Sequence, residues 1–265
     1  MIKSILIRVF IIIIILLIPI YFIFKDYSNS NNVVMRPVVP IVTSTLSPVS
    51  NVPLPSVTIV PVDTKSVSKL PIPDLNKTWQ IPSGYSVEVK KILNNKIDPL
   101  INDLRIDPNH FDKWVNLGIL RKTIGDYDEA KNIWEYTASG WPDNIVSYHN
   151  LGDLYANYLK DNIGAEKNML RVVQLDPHYV SDYLALYDLY KRIYGEVGDK
   201  TDMILLEGVK NNPESVDLLM TTASHYKEMN NKDSAKKYYN LALTKVEKLK
   251  NESLVKLIQL ELSNL

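Results

Sequence analysis

The segment Trp114–Asn144, WVNLGILRKTIGDYDEAKNIWEYTASGWPDN, carries the pattern that decides the fold. It reads as two amphipathic stretches joined by Ile124-Gly125-Asp126 and closed by Trp141-Pro142. The pattern returns along the chain. Pro108, Pro142, Pro177 and Pro213 stand 34, 35 and 36 residues apart, and Trp114, Tyr148, Tyr183 and Leu219 follow them by six residues each. A fixed period near 34 marks stacked helix-turn-helix units. Each proline ends a helix, because it lacks an amide donor and restricts the residue before it.

The second unit, Tyr148–Pro177, reads YHNLGDLYANYLKDNIGAEKNMLRVVQLDP, and the fourth, Leu219–Leu243, reads LMTTASHYKEMNNKDSAKKYYNLAL. Trp114, Leu117, Gly118, Ala130, Trp134 and Pro142 hold signature positions in the first unit, and Leu151, Gly152, Tyr155, Ala165 and Pro177 hold such positions in the second. Ala223, Tyr226, Ala235, Tyr239 and Ala242 continue the series in the fourth. On these residues the chain resembles the tetratricopeptide repeat family over roughly 108–250. The resemblance implies an all-α, TPR-type helix-turn-helix solenoid of four repeats. The third unit departs from it, since Tyr187 occupies a slot that is usually small, while Gly208 restores a small residue on its second helix. Longer turns around Asp161 and Gly195–Lys200 are expected to absorb the extra residues. Gly118, Gly152 and Ala223, with Ala130 opposite, are expected at close helix crossings, and Trp134, Met169, Leu205 and Tyr239 at the seam to the next repeat.

A single repeat cannot bury its apolar face, so the stack needs ends. Residues 251–265 supply one. Leu254, Leu257, Ile258, Leu262 and Leu265 have helical spacing and suit a capping helix. At the other end, residues 83–107 carry Ile92, Leu93, Ile97, Leu100, Ile101 and Leu104. This segment reads equally as a degenerate helix pair broken at Asp98-Pro99 or as a simple N-terminal cap.

Residues 1–26 read as a signal-anchor transmembrane helix. Val9–Phe24 is an uncharged run of 16 residues, extended toward Ile5 if Arg8 snorkels, and residues 5–24 suffice to cross a bilayer. No small-residue cleavage site follows it, and a chain without cysteine has no lipoprotein anchor. Lys3 and Arg8 precede the run, whereas Lys25 is offset by Asp26. The charge bias puts the N-terminus in the cytoplasm and the repeats outside it. Residues 27–82 form the connection. Nine of the chain's 15 prolines lie between Pro37 and Pro82, among valines and serines, a composition that favours a disordered, extended linker.

The chain balances 30 basic against 30 acidic residues, and from Ser83 onward 23 Lys plus Arg face 27 Asp plus Glu, a net of −4. With no basic stripe, nucleic acid is not an expected partner. Catalytic, cofactor-binding and metal-binding constellations are not found. There is no cysteine, no His-x-x-x-His pair and no Gly-rich phosphate loop, and Asp126, Asp128 and Glu129 lack calcium-loop spacing. His110 and His178 fall in inter-repeat turns. His149 and His225 fall on first helices, in groove contact or half-buried roles. The chain is read as a non-enzyme.

What the resemblance implies about function concerns the concave face lined by the first helix of each repeat. Carried over position by position, it places Val115, Asn116, Ile119, His149, Asn150, Asp153, Asn157, Leu184, Asp188, Met220 and Ser224 along a groove for a partner protein or peptide segment. The lysine clamp that some members use on a C-terminal carboxylate is not reproduced, since Val115 stands in place of its first lysine. Abundant Ile, Asn, Lys and Tyr point to an A/T-rich coding genome and hence a bacterium. The expectation is a membrane-anchored scaffold in cell-envelope assembly. The alternative is an accessory subunit of a membrane enzyme or secretion machine, with the anchor helix contacting partner helices.

Overall fold

The computed structural model describes residues 70–195 and 199–265. The expected anchor, the linker up to residue 69 and the turn at 196–198 lie outside the described residues. Among the described residues no helix is long and apolar enough to cross a membrane.

Ten α-helices follow one another without a strand among the described residues. They are α1 (Val87–Ile106), α2 (Phe111–Thr123), α3 (Tyr127–Gly140), α4 (Ile145–Asp153), α5 (Asn162–Leu175), α6 (Val180–Tyr194), α7 (Asp199–Asn211), α8 (Val216–Glu228), α9 (Lys232–Lys248) and α10 (Glu252–Ser263). Helices α2–α3, α4–α5, α6–α7 and α8–α9 pack as hairpins, and each hairpin stacks on the next.

The prolines set the phase of the stack. Helices end at Ile106, Gly140, Leu175 and Asn211, two residues before each proline, and the next begins three residues after it. Each four-residue turn is thus nearly the same object. Asn144, Tyr179 and Ser215 donate their amides to the carbonyls of Trp141, Asp176 and Asn212, and the Asn144 and Ser215 side chains cap the helices that follow. Within the hairpins a second landmark recurs. Gly125, Lys160, Gly195 and Asn230 are 35 residues apart, and all have positive φ where the first helix ends.

The small residues stand at close crossings. A Cβ on Gly118 would fall inside the Trp134 indole, and one on Gly152 would sit 2.8 Å from Met169 Cγ. Trp134 and Met169 therefore cover the glycine of their own hairpin, where the sequence pattern had put them at the seam to the next. The Trp134 Nε1–H also donates to the Val115 carbonyl at 3.3 Å. In the third hairpin the small residue moves to the second helix: a Cβ on Gly208 would meet Leu218 Cδ2 at 3.0 Å and the Tyr183 ring at 3.1 Å.

Three sequence expectations are corrected. First, of the two readings open for residues 83–107, the helix pair broken at Asp98-Pro99 is not what is found: one helix, α1, carries Pro99 inside it. Leu93, Ile97, Ile101 and Leu104 point into the core from one stripe, and their burial outweighs the hydrogen bond that proline forfeits. Second, the extra residue of the second repeat does not lengthen a turn. It is wound into a π-helical turn, Leu154–Leu159, that continues α4 and ends on Lys160 in the left-handed conformation. Third, residues 70–82 do not belong to a free linker. Leu75, Trp79 and Ile81 pack on the core formed by the first hairpin and α1. At the C-terminal end, α10 buries Ile258 and rests Leu254 and Leu262 on α9, but Leu257 remains 46% exposed.

Candidate partner-binding surface

The first helices, α2, α4, α6 and α8, and α10 after them, line one face of the stack. The expected groove residues divide into three groups on it. Val115 is buried at 7% exposure and belongs to the core, so it does not line a groove. Asn116, Ile119, His149, Asn150, Asp153, Leu184 and Met220 are half-buried, while Asn157, Asp188 and Ser224 are exposed. Ile119, Leu184 and Met220 each rest one side on a core cluster, which leaves only part of each side chain for a partner.

Most polar groups on this face are already paired with the neighbouring repeat. The Lys122 ammonium on α2 bridges to Asp153 on α4. His149 Nδ1 on α4 lies 2.6 Å from Asp182 Oδ2 on α6. Lys191 on α6 reaches Glu228 on α8 at 2.5 Å, and Lys227 on α8 reaches Glu261 on α10 at 2.7 Å. One ion pair thus crosses every junction between consecutive first helices. Asn157 donates to Asp153 Oδ1 at 2.8 Å, and Asn150 donates to its own helix at the Val146 carbonyl.

The π-helical turn adds aromatic surface beside this ladder. Tyr158 stacks obliquely on Tyr127, with ring centroids 4.8 Å apart, and the Lys122 ammonium sits 4.6 Å from the Tyr158 ring centre. Tyr155 is held inward by its hydroxyl donating to Glu135 at 2.6 Å. None of these contacts was legible in the 34-residue phase, because they depend on the extra residue being helical.

The histidines serve the packing. His149 is half-buried against the Tyr179 ring, centroids 5.3 Å apart. Burial lowers its pKa, but the hydrogen bond to Asp182 and the charges of Asp182 and Asp153 outweigh that, and the net shift is upward. Lys122 opposes it weakly. His225, expected at most half-buried, is fully buried, with Nε2 2.5 Å from Asp202 Oδ1 and its ring edge-on to Tyr187. Among the described residues no group of three or more His, Asp or Glu side chains is placed to hold a metal ion.

At the far end the face opens into a shallow hollow of about 290 Å³, lined by Met220, Thr221, Ser224, Tyr239, Leu257 and Glu261. It brings together two expected residues, Met220 and Ser224, with two that the sequence pattern assigned to the end cap. Leu257 and Glu261 lie one helical turn apart on α10, so the spacing was visible. Their placement beside Met220 was not, because it depends on how α10 crosses α8 and α9. Chemically the hollow offers an apolar floor, a hydroxyl rim and one carboxylate already engaged by Lys227. That suits an aliphatic or aromatic side chain of a partner, with a donor at its edge.

Comparison with known proteins agrees with this architecture. A family model described as tetratricopeptide repeat matches residues 217–244, which are the α8–α9 hairpin. No curated protein matches the chain. The crystal structure of MamA superposes with a TM-score of 0.51 at 20% identity, covering 65% of this chain and 99% of that one. A second MamA structure gives 0.50 at 22% identity, covering 62% and 89%. A tetratricopeptide repeat protein from Parabacteroides merdae gives 0.50 at 18% identity, covering 66% and 67%. Likeness at these identities speaks for the fold, and together with the repeat matched at 217–244 it identifies the chain as a tetratricopeptide-type helical solenoid.

Proposed function

We propose that this protein is a membrane-tethered scaffold that binds a segment of another protein along the face of its first helices. The observation that carries the reading is the hollow between α8 and α10. There Met220 and Leu257 offer apolar surface beside the hydroxyls of Thr221 and Ser224. A peptide anchors through a few such contacts, and affinities in the micromolar range, about −8 kcal/mol, follow from that mode. The ion-pair ladder leaves few free charges on the face, which favours a largely apolar or neutral segment over a strongly charged tail.

The tether rests on the sequence. Residues 5–24, with Arg8 snorkelling, are long and apolar enough to cross a bilayer, and Lys3 and Arg8 favour a cytoplasmic N-terminus with the repeats outside. The role that follows is assembly in a bacterial cell envelope. Protease added to cells with a permeabilised outer layer is expected to cut between Pro53 and Leu70 and release the repeats. Protection until the inner membrane is broken would reverse the orientation.

Partner binding is tested by crosslinking in intact membranes. Leu257→Asp with Ser224→Arg alters exposed positions only, so helicity and melting should stay near wild type while the captured partner is lost. Unchanged capture by this double variant would remove the hollow from the reading. Ile119→Asp is a poorer probe, because Ile119 also packs against the core.

A further inference from the structure

Residues 70–82, LPIPDLNKTWQIP, cross the first hairpin as a strap without helix or strand of its own. Its contacts have the form of a peptide held by a receptor. Side chains of the repeats grip its backbone: Ser139 Oγ accepts the Leu70 amide at 3.0 Å, and Arg105 Nη2 donates to the Leu75 carbonyl at 3.0 Å. Arg121 Nη2 donates to the Lys77 carbonyl at 3.1 Å. Asp74 turns the strap by accepting the Asn76 and Lys77 amides. From there the residues alternate. Lys77, Trp79 and Ile81 engage the repeats, while Thr78 and Gln80 face solvent.

Each inward side chain meets a partner of matched chemistry. Lys77 Nζ bonds Glu129 at 2.6 Å, and that carboxylate's side chain is only 5% exposed. The bond to Glu129 holds the Lys77 pKa above its usual value against a smaller desolvation cost. Trp79 lies under the Arg121 guanidinium, 5.1 Å from ring centre to Cζ, and donates its indole N–H to Asn94 at 3.3 Å. Arg121 is itself 1% exposed, paired with Asp126 at 3.0 Å, and its Nε has no hydrogen-bond partner. A buried arginine and a buried glutamate, side by side on α2 and α3, are costly unless both are covered by complementary groups. The strap supplies those groups.

We propose that α1, the end of α2 and α3 form a second peptide-binding site, separate from the first-helix face, and that the strap is its built-in ligand, a latch that keeps the site closed. The incoming ligand is an extended segment of a partner protein with the strap's chemistry. It carries a lysine for Glu129, an aromatic side chain two residues later for Arg121, and an aliphatic one two residues after that. The strap is joined to α1 through Ser83–Ser86 alone, so its effective concentration at the site is on the order of millimolar. A competitor must overcome that advantage or arrive when the strap is withdrawn. Because residues 70–82 connect directly to the segment preceding them, tension or binding on that segment would open the latch.

The test uses the full chain and a labelled peptide of residues 70–82. Lys77→Glu with Trp79→Ala should withdraw the strap by charge repulsion from Glu129 and loss of the Arg121 contact. This variant, still helical and cooperative in melting, is expected to bind the peptide at least tenfold more tightly than wild type does. Adding Arg121→Met should abolish the gain. In wild type, hydrogen exchange over 70–82 should proceed through openings that leave α1–α3 protected. The proposal is overturned if the double variant stays folded but binds no peptide, if it fails to fold, or if 70–82 exchanges only when α1–α3 do. None of these results bears on the hollow at α8 and α10.

Discussion

Single residues carry the repeat geometry where space or backbone sign leaves no choice. Gly118 lies under the Trp134 indole, a rigid ring that is itself buried at 0% exposure. Gly118→Ala is expected to destabilise the protein by roughly 1–3 kcal/mol through overpacking, read from the midpoint of a urea melt with unchanged slope. Gly84→Ala, where a Cβ would meet nothing within 4 Å, should leave the midpoint nearly unmoved. Lys160 presents the opposite case. It adopts φ 58° and ψ 30° at the position where the first and third hairpins place Gly125 and Gly195. Lys160→Gly should relieve that strain and stabilise by roughly 0.5–1 kcal/mol, after allowance for the greater freedom of glycine in the unfolded chain. Gly118 was visible as an element of the repeat, whereas Lys160 fell where the sequence suggested a longer turn around Asp161. Which partner each glycine faces was not visible, because Trp134 could have served either side of its helix. Val115 shows the same limit: its place in the pattern matched groove positions of the family, but the local rotation of α2 turns it into the core.

At the scale of elements, the π-helical turn Leu154–Leu159 is how this chain fits a 35-residue interval into a 34-residue architecture. A helix can accept one extra residue without turning its downstream face only by widening one turn. Removing the exposed Asn157 should therefore restore a regular helix, with a cooperative melt and nearly wild-type helicity by circular dichroism. It should also break the Lys122–Tyr158 contact. Removing the exposed Lys167 from α5 should be far worse, since it rotates the apolar stripe by about 100° and turns Met169, Val172 and Val173 out of the core. If both deletions cost the same, the π-helical turn is not the accommodating element. The sequence interval announced that a residue was spare. It did not say where the residue would go, because that rests on tertiary contacts such as the Tyr155 hydroxyl on Glu135.

Across the whole molecule, the ion pairs between first helices set how each repeat sits on the next. Most of these pairs are only partly exposed, and the Asp182 carboxylate is buried, so each fixes the position of one first helix against the next. The His149–Asp182 pair makes one junction pH-sensitive. Its imidazole pKa is raised in the fold, so the stabilisation is complete below the unfolded value near 6.5 and is lost as pH rises through the higher folded value. The wild-type melting temperature should therefore fall relative to that of His149→Gln as pH rises from about 6 toward 8. A constant difference between the two across that range would show that the pair is not titrating. Under the proposed function, a partner on this face competes with these pairs for hydrogen bonds and finds apolar surface at Met220 and Leu257 in the hollow.

The sequence by itself determined the hairpins, their phase and their order, because proline spacing, helical periodicity and small residues at crossings act within about 35 residues. It also named the residues on first helices. Only the tertiary structure decided which of those reach solvent, and that α10 completes a hollow with α8. Only it showed that Leu70–Ile81 belongs to the folded body. Those outcomes depend on contacts between segments 30 to 69 residues apart, such as Arg105 with Leu75 and Ser139 with Leu70. A buried Arg121 and Glu129 create a demand for covering groups that no local pattern expresses. The strap meets that demand from a stretch whose prolines, read alone, argue for a chain that packs on nothing.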